Sequence, residues 1–196
     1  MSEQSTRRPF YWEQRRFVSD GEEHSKRLPS GQDLAALRRG INRRPGEVPE
    51  MWRFHVAWRD PEQNLDAEHY ALTLFGVHQQ SQSYFVHRKG ISVGNAIRSL
   101  HVSNRFEEAA IDRRFFAAVT ATTREEVAYH LRSLLRQIHS LKSPTPLDYT
   151  GLYWDLAGWS SPDRRSQTQR RWGIAYNGSS SEEFIDKVAA KSGENE

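Results

Sequence analysis

The sequence predicts an all-α protein built as two small helical bundles in one chain. Three observations carry this. Apolar residues recur at i, i+3, i+4 and i+7 in one segment after another. Ser, Thr, Asp or Asn stands just ahead of most of these segments, where helix N-caps belong. No alternating apolar–polar run exceeds about four residues, so nothing reads as a strand.

The first element is a short aromatic helix over 10–18, with Pro9 at its start and Phe10, Tyr11, Phe17 and Val18 as apolar positions. After a polar loop, Ser30 caps a helix with Asp33 three residues on and Leu34, Leu37 and Ile41 as its buried stripe. Pro49 opens a helix through Trp58, with Trp52, His55 and Val56 at helical spacing. Asn64 or Asp66 starts the next, whose buried face is Tyr70, Leu74 and Val77; it fades over 78–83. The triplet Tyr84-Phe85-Val86 is too short to assign. Ser92 caps a helix carrying Val93, Ala96, Ile97 and Leu100. Another runs over 106–118.

Thr123 and Glu126 form a capping box for the clearest helix in the chain, with the stripe Val127, Leu131, Leu134, Leu135, Ile138 and Leu141. Pro144 and Pro146 end it. Asp148 caps a helix with Leu152, Leu156 and Trp159; Ser161-Pro162 starts the last, which stops near Asn177-Gly178. The loop around 87–91 divides an N-terminal bundle (1–89) from a C-terminal bundle (90–178). Residues 179–196 form an acidic, Ser-rich tail, weakly helical over 182–190.

Composition narrows the function. The 196 residues contain no cysteine, which excludes disulfides, Cys-based metal sites and Cys nucleophiles. No apolar run approaches the ~20 residues that span a bilayer, and 1–8 lead into no signal-peptide core, so the cytoplasm is the expected location and no membrane partner is expected. Net charge is only +3, but it divides into +6 for residues 1–178 and −3 for the tail. Of 28 basic residues 23 are Arg, the better phosphate fork and the better stacker on bases.

Two motifs suggest chemistry that their context does not support. Gly90-Ile91-Ser92-Val93-Gly94 has the G-x-S-x-G form of a serine-hydrolase elbow, with Asp112 and His130 as triad partners on paper. That elbow needs a strand before the Ser and a sheet beneath it; the alternative is that Ser92 is an N-cap. The eight histidines show no H-x3-H pair. His69, His78 and His87 follow one another at nine residues, which alternates helix faces, so surface or half-buried roles are expected and no metal site. No glycine-rich nucleotide motif is present, and no cofactor is expected. Asn177-Gly178-Ser179 is a glycosylation sequon in form only.

The paired arginines remain: Arg38-Arg39, Arg43-Arg44, Arg113-Arg114, Arg164-Arg165, Arg170-Arg171, and Arg132 with Arg136 one turn apart. They are either a nucleic-acid face or solvated helix surfaces worth only ~0–1 kcal/mol per ion pair.

Several stretches, in order, give the chain a family likeness. Leu37-Arg38-Arg39-Gly40 with 47–53 (EVPEMWR), 90–100 (GISVGNAIRSL), 112–116 (DRRFF), His130-Leu131-Arg132 with Leu134-Leu135, Leu147-Asp148-Tyr149 with Asp155-Leu156 and Trp159, then Trp172 and Tyr176 resemble the small subunit of the type I-E CRISPR surveillance complex, Cascade (the CasB family). The likeness spans 10–177. It implies an all-helical, non-catalytic protein of antiviral defence. Implied partners are a CRISPR RNA, target DNA, the backbone and large Cascade subunits, and a second copy of itself. It implies a grip on the displaced DNA strand of the R-loop. Carried over by position, the nucleic-acid-binding candidates are Arg38, Arg39, Arg53, Arg113, Arg114, Arg132, Arg164 and Arg165. Asn95 and Ser133 stand where the family often has a base; Arg98 or Arg136 substitutes there, and Arg136 joins the candidates. Arg114 carries a second reading, as a structural arginine paired with a carboxylate such as Asp155. A pure adaptor role, with the arginines on acidic protein surfaces, is the alternative.

Overall fold

The computed structural model describes residues 8–14, 28–60 and 63–178. Its seven α-helices are α1 (Gly31–Arg39), α2 (Leu65–Gln79), α3 (Val93–Val102), α4 (Glu108–Thr120), α5 (Arg124–His139), α6 (Tyr149–Gly158) and α7 (Pro162–Asn177). There is no strand among the described residues, only a single parallel bridge between His87 and Leu147. The all-α expectation holds.

The caps sit where the side chains place them. Ser30, Asn64, Ser92, Thr123, Asp148 and Ser161 each accept the backbone N–H three residues on. Thr123 and Glu126 complete a reciprocal box.

α2 is the axis of the molecule. It packs on α1, α5 and α6, while α3 packs on α7, α5 and α4. From Ala67 to Gln79, every α2 residue except Tyr70 is buried. This corrects the single-face reading of Tyr70, Leu74 and Val77: a helix surrounded on all sides buries its whole circumference. It also corrects two of the histidines, since His69 and His78 lie in the core, as does His55. α3 closes on α7 at Gly94, where any Cβ would run into the Trp172 carbonyl.

Two expected helices differ. Over 49–58 the chain forms two 3-10 turns, Pro49–Phe54 and Ala57–Arg59, with His55 extended between them. The cause is Glu68, wholly buried on α2, whose carboxylate accepts the N–H of Val56 (2.8 Å) and Ala57 (2.9 Å). Those donors are therefore lost to any continuous helix. At the N-terminus Tyr11–Glu13 form a 3-10 turn, with Phe10 and Gln14 extended on either side of it; residues 15–18 of the expected 10–18 helix, like the tail, lie outside the described residues. Phe10, Tyr11 and Trp12 are buried. Trp12 Nε1 donates to Thr150 Oγ1 (3.0 Å), and that hydroxyl donates to Glu13 (2.6 Å), tying this turn to α6.

Candidate nucleic-acid interface

α5 buries Val127, Leu131, Leu134, Leu135 and Ile138, and this fixes what its other side shows. Tyr129, Arg132 and Arg136 follow at i, i+3 and i+7 on that side. Tyr129 is 62% exposed, and the Arg132 guanidinium sits 5.7 Å from its ring centroid. Partial burial and, second, the charge of Arg136 pull the Arg132 pKa below the usual arginine value. The guanidinium stays protonated at neutral pH, and the repulsion favours an added anion.

Arg132 and Tyr129 line a groove of about 400 Å³ between α5, α2 and the loop after α1. Arg43 and Arg44 line its other wall, with Tyr70 and Thr73 of α2 between. Three glutamates share the groove, but two are engaged by backbone donors. Glu47 accepts the Arg44 N–H (3.1 Å), and Glu126 accepts those of Thr122 (3.0 Å) and Thr123 (3.2 Å), which hold its pKa below the usual carboxylate value. Tyr70 and Glu125 also line a neighbouring groove with Arg124 and Arg165, so the two concavities adjoin. Arg165 donates to the Thr122 carbonyl (3.3 Å). Arg124 is a bracket: it donates to the Leu156 (2.7 Å) and Ala157 (3.2 Å) carbonyls at the end of α6.

The structure thus brings together Arg132 and Arg165 of the nine candidates and adds Arg43, Arg44 and Tyr129. The Arg43-Arg44 doublet is visible in the sequence; what the sequence hides is that its loop folds back opposite α5. The other candidates lie outside these two grooves, Arg136 one turn beyond Arg132 on the same side of α5. Arg39 pairs with Glu50 (3.2 Å, both exposed), and Arg53 pairs with buried Asp33 (2.7 Å). Asp33 also accepts the Tyr11 hydroxyl (2.9 Å). Arg38 is half-buried on α1. Arg113, Arg136 and Arg164 are exposed and have no carboxylate partner among the described residues. Arg114 donates to the Ala110 carbonyl of its own helix (3.1 Å). The expectation that Asp155 partners Arg114 is corrected: Asp155 is held by the Arg171 guanidinium and by Trp172 Nε1.

The hydrolase motif resolves into helix geometry. The Ser92 hydroxyl donates to Asn95 Oδ1 (2.7 Å) and accepts the Asn95 N–H (3.3 Å). Gly90 has φ +85° and donates its N–H to Asp148 (2.8 Å). Asp112 is engaged with Tyr176 and His101, away from Ser92. Among the described residues no three His, Asp or Glu side chains group so as to hold a metal ion, and no helix is long and apolar enough to cross a membrane.

Comparison with known proteins bears on this arrangement. Residues 33–176 match the sequence profile of the family described as CRISPR-associated protein Cse2. No curated protein sequence matches. The fold is similar to the crystal structure of CasB from Thermobifida fusca (26% identity, TM-score 0.61, covering 74% of this chain and 82% of that one). It is also similar to CasB from M. ruber (23%, 0.59, covering 86% and 91%) and to a Cse2-family CRISPR-associated protein from Thermus thermophilus (23%, 0.57, covering 76% and 86%).

Proposed function

The chain belongs to the Cse2 family of CRISPR-associated proteins, and from that premise we propose that it is the non-catalytic small subunit of a type I-E Cascade complex, holding the displaced DNA strand of the R-loop. The observation that carries the reading is the groove in which Arg132, laid over exposed Tyr129, faces Arg43 and Arg44. A strand of arbitrary sequence must be held by its phosphates and by stacking, without base readout. Forked cations beside an open aromatic ring, Arg132 with Tyr129 on α5 and Arg43 and Arg44 on the loop after α1, supply both. R-loop formation is a near-balanced exchange, so a few such contacts suffice to bias it.

Arg132 and Arg165, with Arg43 and Arg44, form the main track. Arg38, Arg113, Arg114, Arg136 and Arg164 extend it over neighbouring faces. Arg39 and Arg53 contribute less, because each is already paired with an acid. CRISPR RNA, the backbone and large subunits and a second copy of this chain are the partners in this reading, and its setting is the cytoplasm.

The test is charge reversal, Arg132→Glu with Arg136→Glu, in the assembled complex with a guide RNA and target. Expected is R-loop formation weakened about tenfold or more, a loss of at least ~1.4 kcal/mol, with an unchanged melting temperature. Strand affinity in the parent complex falls steeply with salt. Normal R-loops in the double variant would overturn the reading.

A further inference from the structure

We propose that the open cleft between α3 and the C-terminal end of α5 is a separate site for the phosphate backbone of a nucleic-acid strand. This rests on the nucleic-acid reading above and involves none of the nine candidate arginines; of its cations only Arg98 figures in the sequence reading, as a stand-in for the base missing at Asn95. The cleft encloses about 980 Å³, and every charged residue that lines it is a cation: Arg98, Arg105 and Lys142. Ser143 and Thr145 add hydroxyl side chains to the wall, whereas the Ser99 and Ser103 hydroxyls there donate to the Ala96 and Leu100 carbonyls of α3 (both 2.6 Å). Val102, 74% exposed, provides an apolar spot within it.

None of the three cations has a carboxylate partner among the described residues. Arg98 lies over Gly178, where α7 ends, and Arg105 donates one N–H to the Ser140 carbonyl at the end of α5. Each guanidinium has five donors, so most remain available. Three like charges in one concavity repel each other and concentrate positive potential there, which a bound anion relieves. Cations interleaved with hydroxyls are the donor set that phosphate oxygens take. A single small anion would leave most of so large and open a cleft unfilled. A strand carries a phosphate at every step and can engage all three cations.

The test uses the full chain and a fluorescein-labelled oligothymidylate, with binding followed by anisotropy across a salt series. Arg98→Gln/Lys142→Gln removes two cations and leaves Arg105 in its structural bond. The expected result is a shallower log–log salt dependence, by about 1.4, and a several-fold weaker affinity. Lys142→Gln alone, at an exposed position, gives about half that change and guards against a folding defect from Arg98. Arg88→Gln/Lys89→Gln removes the same charge elsewhere and leaves the slope as in the parent.

An unchanged slope in the cleft variant, with weakened binding by Arg132→Glu/Arg136→Glu, overturns this site and leaves the main reading standing. Equal losses in the cleft and control variants reduce the effect to net charge and also overturn it. Unchanged strand binding with failed assembly makes the cleft a protein-docking surface, again against the proposal. No effect from either set, or no strand binding by the parent at low salt, removes both readings.

Discussion

The imidazoles of His55 and His69 lie parallel in the core, 5.5 Å apart at their centroids and tilted by only 4°, with His55 Nε2 3.3 Å from His69 Nδ1. Their outer nitrogens meet carbonyls, His55 Nδ1 at Met51 (2.9 Å) and His69 Nε2 at Gly40 (3.1 Å). Two neutral imidazoles carry two N–H groups for these three contacts. When both carbonyls are satisfied, the nitrogens facing each other are bare. A proton between them would complete the set, but it would bring a charge into the core.

That cost gives the pair a pH dependence of definite sign. Burial first, then the charge of His69, lowers the His55 pKa from 6.5 to about 4. Burial lowers His69 as well, and burial followed by His139 takes His78 to about 3. Below 6.5 the unfolded chain therefore binds protons that the folded chain refuses, and stability falls as pH falls. The full span for His55 corresponds to about 3 kcal/mol. Thermal melts from about pH 7 down to about pH 5 should show a steadily falling Tm; a flat profile would refute the neutral-core account.

Glu68 governs the path of 55–57. Glu68→Ala leaves the Val56 and Ala57 N–H groups buried without acceptors, at a cost of about 1–3 kcal/mol for each group. Glu68→Gln keeps one acceptor oxygen and should fall between the parent and the Ala variant. Urea denaturation that ranks Ala above Gln, or finds both neutral, contradicts the assignment.

Asp33 is shared by Arg53 and Tyr11, and the two contacts are not equal. Arg53 is largely exposed, so Arg53→Gln should shift stability by less than about 1 kcal/mol. Asp33→Ala also removes the carboxylate that accepts the buried Tyr11 hydroxyl and should cost about 1–3 kcal/mol more. Equal effects in calorimetry would mean that the Tyr11 bond contributes nothing.

Tyr129 separates stacking from charge in the main groove. Tyr129→Ala should weaken strand binding by about 1–3 kcal/mol, and Tyr129→Phe should retain it, because any flat ring stacks. Loss in both variants would point to the hydroxyl instead.

Ser92→Ala removes a helix cap and should cost about 1 kcal/mol in stability without altering strand binding. A fluorophosphonate probe should leave Ser92 unlabelled. Labelling would revive the hydrolase reading.

Most helices are legible because their caps are local: Ser92, Thr123, Asp148 and Ser161 bond three residues ahead, within the window a sequence displays. Glu68 is not legible. Nothing local sets it apart from Asp66 in the same first turn, and only the fold reveals that it completes a turn more than ten residues upstream. His69 and His78 escape the sequence for the same reason, since the all-round burial of α2 depends on neighbours from three other helices. The arginines fall between these cases. Their pairing is written in the sequence. That Arg43-Arg44 faces Arg132 while Arg53 is committed to Asp33 is a matter of which loops return to which helix.

The bond from Trp12 to Thr150 has a consequence for how the chain leaves the ribosome. The side chains of Phe10, Tyr11 and Trp12 emerge early, but the α6 hydroxyl that receives the indole N–H is made nearly 140 residues later. At ordinary synthesis rates that interval is roughly 7–30 s. For that time three aromatic residues are held out of their final environment, available to a chaperone or to a neighbouring nascent chain. A slow stretch of translation before α6 would lengthen this exposure without changing one amino acid of the finished protein.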